Sequence, residues 1–230
     1  AIVLIDQDEN GNPQLTVHLH IEFYGEGGDQ KWATEVGIQM QKMWNAANGE
    51  VTIGETVYKV HFQITAEYKA HLTKAEIEKN EDPSRNFVFL DPKYSDKAGG
   101  VDGYDANGDG KGGDNAGPGN SGIWNPNAVK NSETTGAHEV GHFLGLDHTK
   151  GIMIGKGNPG IMATRGSPVD APWAYDNTKD SYVVNGHWEN TLNVEKRTVS
   201  EQDIMNIGLQ NLVFDEKGKA ILGGISNLYH

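Results

Sequence analysis

Cysteine is absent from this sequence, and two features that define large classes of protein are absent with it. Without cysteine, no disulfide can stabilise the fold. No hydrophobic run approaches the length that a membrane-spanning segment needs, so we expect no membrane insertion. Lysine and arginine form no cluster, and the formal net charge is −13. Nucleic acid and anionic membranes are therefore not expected as partners.

Several motifs for other kinds of chemistry are also missing. The chain has no phosphate-binding glycine motif, no nucleophile elbow and no repeat of fixed period. No basic and then apolar leader precedes the sequence, so we expect any signal or propeptide to be absent from this chain. We expect the protein to be secreted. The 230 residues, 36% of them hydrophobic, can bury a substantial core. This predicts one domain over residues 1–230.

The most specific feature that is present is the run from residue 138 to residue 148, His-Glu-Val-Gly-His-Phe-Leu-Gly-Leu-Asp-His. His138 and His142 are four residues apart, so on a helix they lie on one face and can bind the same metal ion. Gly145 permits a left-handed turn that would bring His148 back to that ion. Three neutral imidazoles leave a fourth position for water, which is typical of a catalytic zinc ion.

Glu139 would project beside the face that carries these histidines. A carboxylate there can take a proton from water and later pass it to a leaving amine. The pattern H-E-x-x-H arises by chance in roughly 2% of chains of this composition, and the added glycine and third histidine lower that to about 1 in 10,000. The full run therefore indicates a zinc hydrolase.

The run matches H-E-x-x-H-x-x-G-x-x-H and resembles the matrixin subgroup of the metzincin zinc proteases, the family of the matrix metalloproteinases and their bacterial relatives. Residues 199–207, Val-Ser-Glu-Gln-Asp-Ile-Met-Asn-Ile, are similar to the last helix of those catalytic domains. The resemblance implies a zinc-dependent endopeptidase, acting on peptides or proteins, with Glu139 as general base and then acid. We expect a monomer, and a cysteine-free chain fits a bacterial member better than an animal one.

The resemblance also implies a methionine in a tight turn below the metal. Met153 and Met162 are the two candidates. We choose Met162, because Pro159 and Gly160 supply turn chemistry directly before it. Met153 follows His148 too closely to reach that place.

Alternation and helical spacing predict the order of the elements. Val17, Leu19, Ile21 and Phe23 alternate, which predicts a half-buried strand over residues 16–24. Helical spacing follows an N-cap at Asp29, and a capping box at residues 200–203 opens the last helix, with Ile204, Ile207 and Leu212 inward. Further strands are predicted at 58–68, 86–90 and 122–124, with helices at 73–80 and 132–144.

These elements predict an α+β fold (mixed α and β), and the resemblance makes it a metzincin-like domain. It implies a twisted, mostly parallel sheet with an antiparallel edge strand, an active-site helix, a Met-turn and a C-terminal helix. Residues 1–148 would form an N-terminal subdomain and residues 149–230 a C-terminal subdomain. Substrate would extend along the strand that contains Ile123 and Trp124, pairing with it as with a sheet edge.

The loop from residue 105 to residue 114 is a candidate calcium site. Asp105, Asn107 and Asp109 stand at the first, third and fifth positions of the calcium-loop pattern, with glycine at the sixth. Ala116 occupies the place of the usual bidentate glutamate, and Asp114 could substitute as a late ligand. A polar, glycine-rich turn without calcium is the alternative interpretation.

Two other functions remain open. The chain could be a calcium-dependent binding or adhesion module with an inactive or structural zinc site, although a structural site has little need of Glu139. It could also be the protease domain of a larger toxin. His18, His20 and Glu22 superficially suggest a second metal site, but their alternation is explained by a solvated strand face.

Overall fold

A computed structural model describes residues 1–94, 99–104, 117–132 and 134–230. In these residues the strands are β1 (Ile2–Gln7), β2 (Pro13–Gly25), β3 (Glu50–Ile53), β4 (Thr56–Tyr68), β5 (Arg85–Leu90), β6 (Gly99–Tyr104), β7 (Gly117–Trp124), β8 (Tyr182–Val184), β9 (His187–Glu189) and β10 (Lys219–Ile221). The α-helices are α1 (Gln30–Ala46), α2 (Lys74–Glu78), α3 (Pro126–Lys130), α4 (Thr135–Phe143) and α5 (Glu201–Asn206).

The central strand of the main sheet is β2. One edge of β2 pairs with the parallel strand β4, onto which β3 folds back. The other edge pairs first with β1, itself paired with β10, and then with the parallel strand β5. Beyond β5 come the parallel strand β7 and the antiparallel strand β6 at the end of the sheet.

The α+β class is confirmed, but the sheet is mixed rather than mostly parallel. The sequence did not predict β1, β3 and β10, which add antiparallel pairs. These strands are short, and tight turns with positive φ at Gly11 and Gly54 connect two of them to their partners. β1 lies between β10 and β2, whereas β3 and β10 lie at edges of the sheet. None of the three has the sustained alternation by which β2 could be predicted.

The core lies between one face of the sheet and the helices α1 and α4. The four alternating residues of β2 are buried on this face, as predicted: Val17, Leu19, Ile21 and Phe23. The side chain of Asp29 accepts a hydrogen bond from Trp32 N at 2.7 Å, which begins α1 where the sequence predicted it. Trp44 on α1 donates from Nε1 to the Ala137 carbonyl on α4 at 3.1 Å. This bond fixes the metal-site helix against the first helix.

Three helices are shorter than predicted, the first being α2, which spans Lys74–Glu78 rather than residues 73–80. α4 spans Thr135–Phe143 rather than residues 132–144, and residues 126–130 form the separate helix α3 before it. The capping box at Ser200 and Asp203 is present, but α5 ends at Asn206, and Gly208 then takes φ +78°. Leu212 therefore lies beyond the helix. None of the helices in the described ranges has the length and apolar character needed to cross a membrane.

Candidate metal centre

Helix α4 carries the first two histidines, of which only His138 is buried. His138 and Glu139 are 7% and 4% exposed, whereas His142 is only partly buried. The rings of His138 and His142 are 5.0 Å apart between centroids, as expected for residues one turn apart on a helix.

A left-handed turn returns the chain to the same place. Gly145 has φ +91°, as the motif predicted, and Leu146 N donates to the Gly141 carbonyl at 2.9 Å. The Leu146 carbonyl in turn accepts a hydrogen bond from His142 Nδ1 at 2.8 Å. The turn that delivers the third histidine thus also holds the second.

The three imidazoles converge through their Nε2 atoms. His148 Nε2 lies 3.2 Å from His138 Nε2 and 3.2 Å from His142 Nε2. The ligand atoms of all three lie within 4.8 Å of one another. Tetrahedral zinc with Zn–N distances of about 2.0–2.1 Å requires N···N separations of about 3.3–3.4 Å. The observed spacing fits that ion.

Hydrogen bonds prepare two of these rings for metal binding. Carbonyl oxygens can only accept, so Nδ1 of His138, 2.8 Å from the Ile161 carbonyl, and Nδ1 of His142 both carry a hydrogen. In the neutral ring, Nε2 is then left with a lone pair directed at the other histidines. Lone pairs held this close repel one another unless a cation lies between them. The donor set therefore fits zinc, which the three histidines would hold.

A buried arginine lies behind His138. Arg197 is 7% exposed; its Nη1 lies 3.1 Å from His138 Nδ1 and donates to the Ala163 carbonyl at 3.2 Å. Its Nη2 donates to Thr134 Oγ1 at 3.1 Å. Burial, and then the positive charge of Arg197, hold the pKa of His138 well below its ordinary value. His138 is therefore neutral, as a metal ligand must be.

Glu139 is a buried carboxyl group beside the ligands. Burial raises its pKa to about 8, and the charge of Arg197 offsets part of this rise. Its Oε2 atom has no hydrogen-bond partner within the described parts of the chain. A carboxyl group whose pKa lies near neutrality and whose oxygen is unengaged is suited to accept and release a proton.

Met162, the methionine chosen from the sequence, packs directly against α4. A Cβ atom added to Gly141 would lie 2.2 Å from Met162 Sδ, so the thioether fills the space that a larger residue at 141 would need. Thr149 N, just after the third histidine, donates to the Met162 carbonyl at 2.9 Å. Met153 instead packs in a separate small cluster with Val169 and Leu192.

The prediction that Ile123 and Trp124 form an open sheet edge is wrong. Both residues are paired on two sides, with β5 and with β6, and the side chain of Trp124 is fully buried. A substrate strand cannot hydrogen-bond to main-chain groups that are already paired. On this side of the sheet, the last of the described strands is β6.

The second candidate metal site, around His20 and Glu22 on β2, has a lysine ammonium group at its carboxylates. Glu22 is fully buried, not on a solvated face, and lies 2.8 Å from Lys69 Nζ. The same ammonium group lies 3.1 Å from Glu67 Oε1, which also contacts His20 Nε2 at 2.8 Å. Lys69 thus occupies the place between the carboxylates that a metal ion would need. The calcium candidates Asp105, Asn107, Asp109 and Asp114 lie outside the described residues.

Sequence reasoning missed the residues that support the ligands from a distance. No local pattern singles out Arg197, which is buried against α4 from the C-terminal part of the chain. Asp203 was predicted only as a helix cap, but its Oδ2 also accepts a hydrogen bond from Ile161 N at 3.0 Å. These contacts join segments far apart in sequence, so only the fold reveals them.

Metal-assisted hydrolysis is the chemistry that such an arrangement suits, which defines the protein as a metallohydrolase. The sequence model of the peptidase M66 family, a family of zinc metallopeptidases, matches residues 91–213. This match spans more than half of the chain and includes all three histidines, so the protein belongs to that family. It is a metallopeptidase, and its substrate is a peptide or protein. None of the curated proteins compared with the chain matches it.

Proposed function

We propose that this metallopeptidase is a zinc-dependent endopeptidase of the metzincin type that uses His138, His142 and His148 as ligands. The observation that carries the proposal is the convergence of the three Nε2 atoms, His148 lying 3.2 Å from each of the other two. The turn at Gly145 and the packing of Met162 under α4 agree with it. The secreted location, the monomeric state and the division of the chain at residue 148 remain predictions.

Zinc, when bound, supplies Lewis acidity that polarises the scissile carbonyl and lowers the pKa of water to about 7. The protein supplies the proton transfers. Glu139 takes the proton of the attacking water and then gives it to the leaving amine. Its burial, which raises its pKa to about 8, favours the uptake of that proton. His138 and His142 keep their Nδ1 hydrogens throughout, since these are bound to carbonyl oxygens.

For the substrate backbone we propose the outer edge of β6. This strand ends the sheet and pairs only with β7 among the described strands. Both β6 and β7 contact α4, so the edge runs beside the helix that carries the first two ligands. An extended peptide would add to this edge by main-chain hydrogen bonds.

The test combines metal analysis with digestion of casein and a quenched peptide. We expect stoichiometric zinc in the parent protein and its loss in His148→Ala. Glu139→Ala should keep zinc and the fold while losing activity by roughly 100-fold or more, because it handles protons and does not ligate. His187→Ala, a change on the exposed strand β9, is the matched histidine control and should keep its zinc.

Three outcomes would contradict the proposal. If His148→Ala binds zinc with unchanged affinity, His148 is not the third ligand. If Glu139→Ala turns over substrate at a near-normal rate, Glu139 is not the general base. A zinc-loaded parent that cleaves no protein substrate would favour a binding module instead.

A further inference from the structure

Asp203 connects α5 to the turn that carries Met162. It is 4% exposed, and its Oδ2 atom accepts three hydrogen bonds. Two come from Ser200, from the backbone N at 2.8 Å and from Oγ at 2.7 Å. The third comes from Ile161 N at 3.0 Å. The Ser200 contacts belong to the helix cap, but the Ile161 contact does not.

The turn is shaped to bring its backbone against this carboxylate. Gly160 has φ +79°, a conformation that residues with a Cβ rarely adopt. A Cβ atom added at Gly160 would lie 2.9 Å from both carboxylate oxygens of Asp203. Glycine at 160 is therefore needed both for the backbone angle and for the close approach.

The residue held by Asp203 is the one that orients the first metal ligand. The Ile161 carbonyl accepts the hydrogen bond from His138 Nδ1 at 2.8 Å. Asp203 thus fixes the N–H of Ile161, and the carbonyl of the same residue fixes the His138 ring. Outer contacts of this kind set the tautomer and orientation of a ligating histidine, and their loss typically weakens metal binding by about 10–100-fold.

We propose that Asp203 is a positioning residue for the zinc ligand His138, acting through the backbone of Ile161. The inference rests on the proposed zinc centre. Asp203 does not touch the metal or the substrate in this role. It holds the turn at the distance at which the Ile161 carbonyl meets Nδ1, so that Nε2 is directed at the other two histidines.

The test compares Asp203→Asn with Ser200→Ala, each titrated with zinc against a chromophoric chelator. Both variants weaken the cap of α5, and both should unfold at a lower temperature. Only Asp203→Asn weakens the hold on Ile161, so only it should bind zinc more weakly, by about tenfold. Its cobalt-substituted form should show shifted ligand-field bands, while that of Ser200→Ala keeps the bands of the parent.

Gly160→Ala is the second variant. Its added Cβ would push the Asp203 carboxylate away from Ile161, while the residues at positions 203 and 200 are not themselves mutated. It should weaken zinc binding in the same way. Unchanged zinc affinity in both Asp203→Asn and Gly160→Ala would overturn the inference. Should Asp203→Asn fail to fold, the affinity of Gly160→Ala decides alone.

A double-mutant cycle separates action through His138 from general loosening. In a His138→Ala background, Asp203→Asn should change the remaining zinc affinity less than twofold. In a His142→Ala background, where the contact between His138 and Ile161 persists, the loss of about tenfold should remain. Equal losses in the two backgrounds would overturn the inference. A parent that binds no zinc would overturn the proposed function as well.

Discussion

Glu22 is a fully buried carboxylate whose charge is balanced by two cations. Arg85 donates to it from Nε and, at 2.9 Å, from Nη2, and Lys69 Nζ lies 2.8 Å away. Burial alone would raise the pKa of Glu22, but the hydrogen bonds and charges of Arg85 and Lys69 outweigh burial and lower it from 4.5. The ionised form is therefore the one that the folded protein stabilises.

This predicts a pH-dependent loss in Glu22→Gln. Because the folded-state pKa is lowered, the stabilisation by Glu22 is present above its ordinary pKa of 4.5. It is lost as the pH falls through the lowered value. Urea unfolding at pH 7 should show a loss of about 2 kcal/mol in the variant, and the difference from the parent should shrink toward pH 3. Glu50→Gln, on an exposed position of β3, is the control. A difference that stays constant over this pH range would contradict the assignment.

The three candidate ligands could be recognised at the residue scale because their spacing is local. Eleven consecutive residues contain both the helical repeat and the glycine that ends the helix. The supports of His138 could not be predicted in this way. Ile161 contributes a carbonyl, which its side chain does not reveal, and Arg197 and Asp203 reach the site only after the chain has folded back.

At the scale of elements, the site depends on how closely α4 and the Met162 turn approach each other. Gly141 allows this approach, since a Cβ there would lie 2.2 Å from Met162 Sδ. Gly136, on the same helix, has more room: its added Cβ would meet the flexible side chain of Met40 at 3.1 Å. Gly136 therefore serves as the control position for a substitution at Gly141.

Gly141→Ala should lower the free energy of unfolding by about 1–3 kcal/mol through overpacking. This should occur even though alanine favours a helix by about 1 kcal/mol. Gly136→Ala should cost less, because its added Cβ would lie 3.1 Å from Met40, a smaller overlap than that at Gly141. Urea unfolding of metal-free protein measures both effects. If Gly136→Ala lowers the free energy of unfolding more than Gly141→Ala does, the close contact between Gly141 and Met162 does not determine how α4 packs.

Elements with strong local signals were predictable, and those defined by their partners were not. Asp29 and Ser200 mark helix starts by their own side chains, and apolar and polar residues alternate along β2 from Leu15 to Phe23. By contrast, β3 and β10 are short strands at the sheet periphery that owe their conformation to β4 and β1. Pairing on both sides likewise made β7 an interior strand, although its sequence fits an edge equally well.

At the scale of the whole molecule, we propose calcium as a stabilising ligand of the loop at residues 105–114. The formal net charge is −13, and four of the oxygen-bearing side chains lie close together in sequence at Asp105, Asn107, Asp109 and Asp114. A cation that binds only the folded protein stabilises it. The sequence thus predicts that calcium binding at this loop adds to the stability of the entire fold.

We expect calcium to raise the melting temperature of the zinc-loaded protein. The missing acidic residue at position 116 suggests a Kd on the order of 10⁻⁴ M. At ten times the Kd, the gain in unfolding free energy should be about 1.4 kcal/mol. The measurement compares thermal melts in millimolar calcium with melts in EGTA, for the parent and for Asp109→Ala. Identical midpoints for the parent in both conditions would show that the loop is an ordinary polar turn.

The hydrogen bonds that orient His138 and His142 both end on main-chain oxygens, those of Ile161 and Leu146. Every amino acid carries such an oxygen. Over evolutionary time, the residues at positions 146 and 161 can therefore be replaced by others whose side chains fit the core, while the geometry of the metal centre is kept. Related proteins could share the geometry of this centre and yet differ in residue type at these two positions.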